Sequence, residues 1–122
     1  MRAKQIIVMR RQYPNGVKLR RGKEIAQGAH ASQLALQRAA ELDTPAYREW
    51  IAGPIAKVCV YVDTEEALLA VAEKADEAGL PYAVVLDSGR TEFHGVPTRT
   101  ALGVGPAYAD DLDPVTGHLP LY

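Results

Sequence analysis

Three short stretches carry side chains suited to acid–base, oxyanion or phosphate chemistry. In the first, Gly22-Lys23 is followed by Gln27, His30 and Leu34, a spacing that runs down one side of a helix. A helix start presents free N–H groups and partial positive charge, so a lysine there runs against the macrodipole. That placement points to an anion beside Lys23, although spacing alone fits a solvated polar face more readily. In the second, Asp87-Ser88-Gly89-Arg90-Thr91 sets a carboxylate, a glycine and two hydroxyls in one loop. Such a loop suits holding a water or a substrate hydroxyl, and it is equally an ordinary Asp-Ser-Gly turn. In the third, Thr98-Arg99-Thr100 alternates, with the two threonines on one strand face and Arg99 on the other. Strand preference alone accounts for threonine there. Neither a G-x-S-x-G elbow nor a Walker-type phosphate loop is present.

These groups need a scaffold. Ile6-Ile7-Val8-Met9, flanked by bases, reads as a strand buried on both faces. Tyr13-Pro14-Asn15-Gly16 is turn chemistry. A helix is predicted over Gly22 to Leu42, with Ile25, Ala29, Leu36 and Ala40 as its core-facing stripe. Thr44-Pro45 opens a short helix to Ala52, and Gly53 stops it. Ile55 to Val62 is a strand, with Cys59 inside it as a buried small hydrophobe. Asp63-Thr64-Glu65-Glu66 resembles a capping box for a helix reaching Ala78, with Ala67, Leu68, Val71, Ala75 and Ala78 as its core face. Gly79 and Pro81 end that helix. Tyr82 to Leu86 forms a third strand. Thr98 to Val104 forms a fourth, ended by Gly105-Pro106, and a short acidic tail follows from Ala107. This alternation predicts one α/β domain over residues 1–122, with parallel pairing and helical crossovers. Ligands bind outside the carboxyl ends of such strands. Lys23 and Asp87 therefore fall on the same edge of the sheet.

Composition narrows the partners. The net charge of −1 hides an asymmetry: residues 1–23 hold eight of the fourteen bases and none of the fifteen acids. A segment of this kind is either solvated or matched by a polyanion. A single cysteine excludes an internal disulfide, and His30, His94 and His118 lack metal-ligand spacing, so no metal or other cofactor is expected. No apolar stretch approaches a membrane span, and the run after Lys4 is too short for a signal-peptide core. A cytoplasmic protein with no membrane partner is the expectation.

Read together, the stretches resemble a known family. Gly22-Lys23-Glu24-Ile25-Ala26-Gln27-Gly28-Ala29-His30-Ala31 closely resembles the helix-opening motif of the type II peptidyl-tRNA hydrolases. Ala78-Gly79-Leu80-Pro81-Tyr82 with Asp87-Ser88-Gly89-Arg90-Thr91 resembles that family's second block. Thr100-Ala101-Leu102-Gly103-Val104-Gly105-Pro106 is similar to its third, and Asp113-Pro114-Val115-Thr116-Gly117-His118-Leu119 to its C-terminal end. The blocks follow the family's order and cover nearly the whole chain. Two segments depart from the pattern. The link from the first strand to Gly22-Lys23 is longer, with Arg11-Gln12-Tyr13 where an aspartate is characteristic, and Phe93-His94-Gly95-Val96-Pro97 forms an unusual bridge to the last strand.

The resemblance implies an α/β/α sandwich around a four-stranded mixed sheet with the last strand antiparallel, a homodimer, and hydrolysis of the ester joining a peptide to the tRNA 3′-end. Its functional positions fall on Lys23, Asp87, Thr91 and Thr100, while Gln27 and His30 match other motif positions. Hydrolysing an ester requires an oriented water and oxyanion stabilisation. Asp87 is assigned to orient or deprotonate the water. Lys23 is assigned to pair with Asp87, or to stabilise the oxyanion or a terminal phosphate. Thr91 and Thr100 would position water or the terminal ribose. His30 is either a general base or a structural residue. Arg10, Arg11, Lys18, Arg20, Arg21 and Arg90, with Gln27, are the expected tRNA contacts. The rival readings are a non-catalytic RNA-binding module on the same fold and a hydrolase for another acyl-nucleotide ester.

Overall fold

The structure is a computed structural model that describes residues 2–122. Its strands are β1 (Ala3–Arg10), β2 (Lys57–Val62), β3 (Tyr82–Asp87) and β4 (Thr98–Tyr108). Its helices are α1 (Arg21–Leu42), α2 (Pro45–Ala52), α3 (Glu65–Glu77) and α4 (Ala109–Thr116), and a 3₁₀ turn covers Pro14–Gly16. The strands form one mixed sheet in the order β2-β1-β4-β3. β1 and β2 are parallel, and β4 runs antiparallel to both β1 and β3. Alternation alone predicted parallel neighbours throughout. The last strand instead inserts between β1 and β3, giving the mixed sheet that the resemblance implied. Alternation along β1 and β4 divides the helices, α1 and α2 lying on one face and α3 and α4 on the other.

Local signals set several boundaries. The Thr44 hydroxyl accepts from Tyr47 N at the start of α2, and the Thr64 hydroxyl accepts from Ala67 N at the start of α3. Gly79, at φ +71°, ends α3. Leu68, Val71, Ala72 and Ala75 of α3 then pack with Ile6, Val8, Val60, Val62, Leu102 and Val104 of the sheet. Val58, Val60 and Val62 turn to this face because side chains alternate along a strand.

The α1 face departs from expectation. Its buried residues are Gln27, Ala31, Ala35 and Ala39, whereas Ile25 is 68% exposed and Ala29 and Ala40 are also exposed. Size is not what selects the inward stripe. A Cβ on Gly103 would stand 2.2 Å from Ala31 O and 2.8 Å from Ala35 Cβ. The helix backbone therefore rests almost on β4, and only alanine fits between them. Gln5, fully buried on β1, stitches the layers by donating to Ser32 O at 3.0 Å and Gly105 O at 3.3 Å.

Three further readings are corrected. β4 continues through the cis Gly105–Pro106 bond to Tyr108. The acidic tail forms α4, with Asp110 and Asp111 in its first turn, where the helix dipole favours them, and Leu112 and Val115 join the core. Cys59 is exposed, because β2 is an edge strand and α1 lies over β4, β3 and β1 instead.

Candidate functional site

The close seating of α1 brings its first turns against the end of β3. Lys23 Nζ lies 2.7 Å from Asp87 Oδ1, and their side chains are 16% and 9% exposed. The same ammonium donates to Thr91 Oγ1 at 3.2 Å. Gln27 Nε2 reaches Asp87 Oδ1 at 3.4 Å, and the Thr100 hydroxyl donates to Gln27 Oε1. The other carboxylate oxygen, Oδ2, accepts from Gly89 N at 2.8 Å. Gly89 holds a φ of +83°, and a Cβ there would stand 2.1 Å from Val96 O, so the loop closes behind Asp87 only with glycine. The result is one chain of contacts, from Thr100 through Gln27 and Asp87 to Lys23 and Thr91.

Opposed forces act on the Asp87 carboxyl. Burial pushes its pKa up. The Lys23 hydrogen bond, the Gly89 N–H, the Lys23 charge and the charge of His30 together outweigh burial and hold it below the ordinary carboxylate value. Asp87 is thus an anion at neutral pH, hydrogen-bonded on both oxygens. Such a group orients a water well and is a weak base. Lys23, read from spacing as one of a solvated stripe, is instead mostly enclosed and paired.

Four of the five residues expected to do chemistry, Lys23, Asp87, Thr91 and Thr100, are brought together. Gln27, expected as a tRNA contact, is instead buried among them at 2% exposure. The fifth, His30, stands exposed one turn further along α1; among the described residues no hydrogen bond ties it to the others. The basic residues divide. Arg10 is 8% exposed, stacks 4.5 Å over the Tyr13 ring and donates to Arg99 O and Gln12 O. Its guanidinium is built into the fold and does not face solvent as a phosphate ligand would. Arg11 is paired with Asp63 at 2.9 Å and lies over Tyr61. Arg20 is paired with Glu92 at 2.7 Å. Lys18, Arg21 and Arg90 are exposed and, among the described residues, make no ion pair.

Glu92, Tyr13 and Phe93 were not singled out from the sequence. The rings of Tyr13 and Phe93 stack at 5.0 Å, both nearly buried, and burial raises the pKa of the Tyr13 hydroxyl well above its ordinary value. Together with the Arg20–Glu92 pair, this stack docks the β1–α1 link onto the β3–β4 loop. The signal was available: each of the two segments that depart from the family pattern carries an aromatic residue. Among the described residues, no three His, Cys, Asp or Glu side chains form a metal-ligating group, and no helix is long and apolar enough to cross a membrane.

The family model described as peptidyl-tRNA hydrolase PTH2 matches residues 3–122. The chain belongs to this family. Among its relatives, the peptidyl-tRNA hydrolase of Methanopyrus kandleri is 43% identical over 118 residues, covering 97% of both chains. That of Methanocaldococcus jannaschii is 35% identical, over 97% of this chain and 98% of the relative. The human protein named peptidyl-tRNA hydrolase 2, mitochondrial, is 36% identical over 98% of this chain, which spans only 64% of that relative's length. All four blocks that resemble the type II peptidyl-tRNA hydrolases lie inside the matched span. The first three supply the five residues that meet around Asp87.

Proposed function

We propose that the Lys23–Asp87 pair is the reacting centre of a hydrolase that splits the ester between a peptide and the 3′-end of tRNA, releasing free tRNA. The observation that carries this reading is the 2.7 Å contact between Lys23 Nζ and Asp87 Oδ1, with Thr91 and Gln27 in reach of the same two groups. Asp87 holds the attacking water. As the water adds to the carbonyl carbon and passes a proton to Asp87, negative charge collects on the carbonyl oxygen, within reach of the Lys23 ammonium. Collapse of the intermediate then breaks the bond to the ribose oxygen, which leaves with that proton as the free hydroxyl of tRNA. Gln27, held by Thr100, keeps the carboxylate aimed, while Thr91 receives the water or a hydroxyl of the terminal ribose. Lys18, Arg21 and Arg90 face the tRNA phosphates, with Arg20 and Arg11 adding to the field from within their ion pairs. His30, exposed at the rim, stands outside the reacting centre.

The same reading covers a single domain over residues 1–122 that acts in the cytoplasm as a homodimer and without a metal. An apolar recess of about 250 Å³ between α1 and the β2 edge, lined by Ile7, Ile25, Ala29 and Cys59, supports a covered face there. Light scattering that gives monomer mass across a wide concentration range would remove the dimer. A non-catalytic RNA-binding module on this fold has no use for a nearly buried lysine–aspartate pair, and membership of the family favours the hydrolase. Incubation with N-acetylated aminoacyl-tRNA should release the ester equally with and without EDTA. Loss with EDTA and recovery with a divalent cation would end the metal-free mechanism. No release under either condition would end the hydrolase reading.

A further inference from the structure

β3 is an edge strand, and among the described residues nothing pairs with its outer side. Gly105 N donates to Pro81 O at 2.8 Å, and the register then runs Tyr82↔Val104, Ala83↔Gly103 and Val84↔Leu102. Antiparallel ladders alternate, so Ala83 bonds to β4 while Tyr82 and Val84 turn their N–H and C=O groups outward. Beside that edge runs a groove of about 760 Å³, walled by Leu34, Arg38 and Glu41 of α1 and by Asp76 at the end of α3. Exposed edges of this kind are normally blunted by charge, proline or a bulge. Here Pro81 precedes the strand and the register with β4 shifts between Val85 and Leu86. The regular open edge is therefore Tyr82 to Val84, recessed between α1 and the end of α3.

The groove lies further along the same helix and strand as the candidate site. Lys23, Gln27, His30 and Leu34 lie in one row on α1. Lys23 is at Asp87, the last residue of β3, and Leu34 is in the groove wall beside Val84. The row from Lys23 to Leu34 spans about 16 Å, roughly the length of five extended residues. We infer that this groove binds the peptide part of the substrate as an added strand on the β3 edge, with its carboxyl end at Lys23 and Asp87. The inference rests on the hydrolase reading above. Its occupant follows from charge and connection. Arg38, Glu41 and Asp76 leave the walls without positive excess, which suits a peptide and not a polyphosphate. The unpaired bases Lys18, Arg21 and Arg90 lie outside the groove. The substrate's peptide is covalently joined to the reacting ester, so it must leave the site along some surface. Pairing through the backbone grips it whatever its side chains.

The test compares N-acetyl-aminoacyl-tRNA with an N-acetyl-hexapeptidyl-tRNA that has the same C-terminal residue. The hexapeptide should raise kcat/KM by about tenfold, the worth of one or two net hydrogen bonds. Leu34→Glu, at a helix position already 37% exposed, should cut that advantage by at least about threefold. Val84→Pro removes an outward N–H without breaking the β4 ladder and should do the same; if it fails to fold, Leu34→Glu decides alone. Equal rates on the two substrates, or an advantage that survives Leu34→Glu, would overturn the groove while leaving the hydrolase intact. No release from either substrate would overturn both. A drop from dimer to monomer mass in Leu34→Glu with the advantage retained would assign the edge to a second copy of the chain instead.

Discussion

On the α3–α4 side of the sheet, thirteen buried apolar residues form one cluster; on the α1 side the cluster has four, Met9, Ala31, Val85 and Ala101. The α1 side also buries Ala35, Ala39 and Trp50, and with them the polar side chains of Gln5, Gln27 and Thr100. All three are at or below 2% exposure, and each is held in a fixed direction by hydrogen bonds. Apolar contacts are non-directional and add up with area. Buried polar contacts contribute little net energy but are costly to leave unmade, so they specify an arrangement. One face thus supplies most of the stability, and the other holds Asp87 and Lys23 in register. The alanines of α1 serve the second purpose, since a helix seated on Gly103 has little room to shift its first turn.

The sharpest break in that comparison is Asp87→Asn, which keeps the shape and removes the charge. Turnover should fall by roughly 10²–10⁴ while tRNA binding persists in a filter assay; lost binding with an unchanged rate constant would contradict the assigned role. On the opposite face, Leu68 is fully buried in the apolar cluster. Leu68→Ala should cost about 2–5 kcal/mol in urea unfolding, with kcat/KM per folded molecule close to wild type. A large loss of kcat/KM in folded Leu68→Ala protein would show that the two faces are not separable.

The apolar face was also the legible one. Leu68, Val71 and Ala75 of the expected α3 stripe are buried, while Ala78, expected with them, is the exposed C-cap. The N-cap falls on Thr64, one residue after the Asp63 to which a carboxylate three residues on points. The α1 stripe was misread because helical periodicity weights bulk, which favours Ile25, whereas the close approach at Gly103 selects for its absence. Gly103 lies 72 residues from Ala31, and no local pattern links them. The members of the site were legible through the ordered motif blocks. Their ion pairing was not, since Lys23 and Asp87 meet only once the helix is seated. The docking of Arg20 on Glu92 and of Tyr13 on Phe93 was hidden for the same reason.

Thr100→Val tests the polar face without touching Asp87. It is close to isosteric and leaves Gln27 Oε1 buried without its donor. About 1–3 kcal/mol of stability should be lost, and kcat should fall more than KM rises, because Gln27 then aims the carboxylate less well. An unchanged kcat in urea-stable Thr100→Val protein would reduce the Gln27–Thr100 contact to packing.

Acid should act through Asp87 with a defined sign. Its folded pKa is depressed, so the stability it contributes is fully present above the unfolded carboxylate value of about 3.9 and is lost as pH falls through the folded value. The stability gap between wild type and Asp87→Asn should therefore be flat from about pH 5 upward and should close only below about pH 4. A gap that changes between neutral and mildly alkaline pH would point to a different titrating partner.

The smallest effect concerns the bases outside both faces. If Arg21 and Arg90 meet tRNA phosphates, binding releases condensed counterions, and log K falls linearly with log salt. Each contact contributes about −0.9 to the slope on a duplex and about −0.7 on a single strand. Arg21→Gln with Arg90→Gln should therefore flatten the slope by up to about 2. Arg20 is a built-in control, because its guanidinium already has Glu92 at 2.7 Å. Arg20→Gln removes a charge that is largely neutralised in the free protein, so it should flatten the slope by less than either exposed arginine does alone. All three changes should appear in binding or KM, since a remote grip on tRNA is equal in the ground and transition states. Equal slopes for Arg20→Gln and Arg21→Gln, measured by filter binding from low to moderate salt, would mean that tRNA pulls Arg20 away from Glu92. The β1–α1 link would then come undocked from the β3–β4 loop when substrate binds.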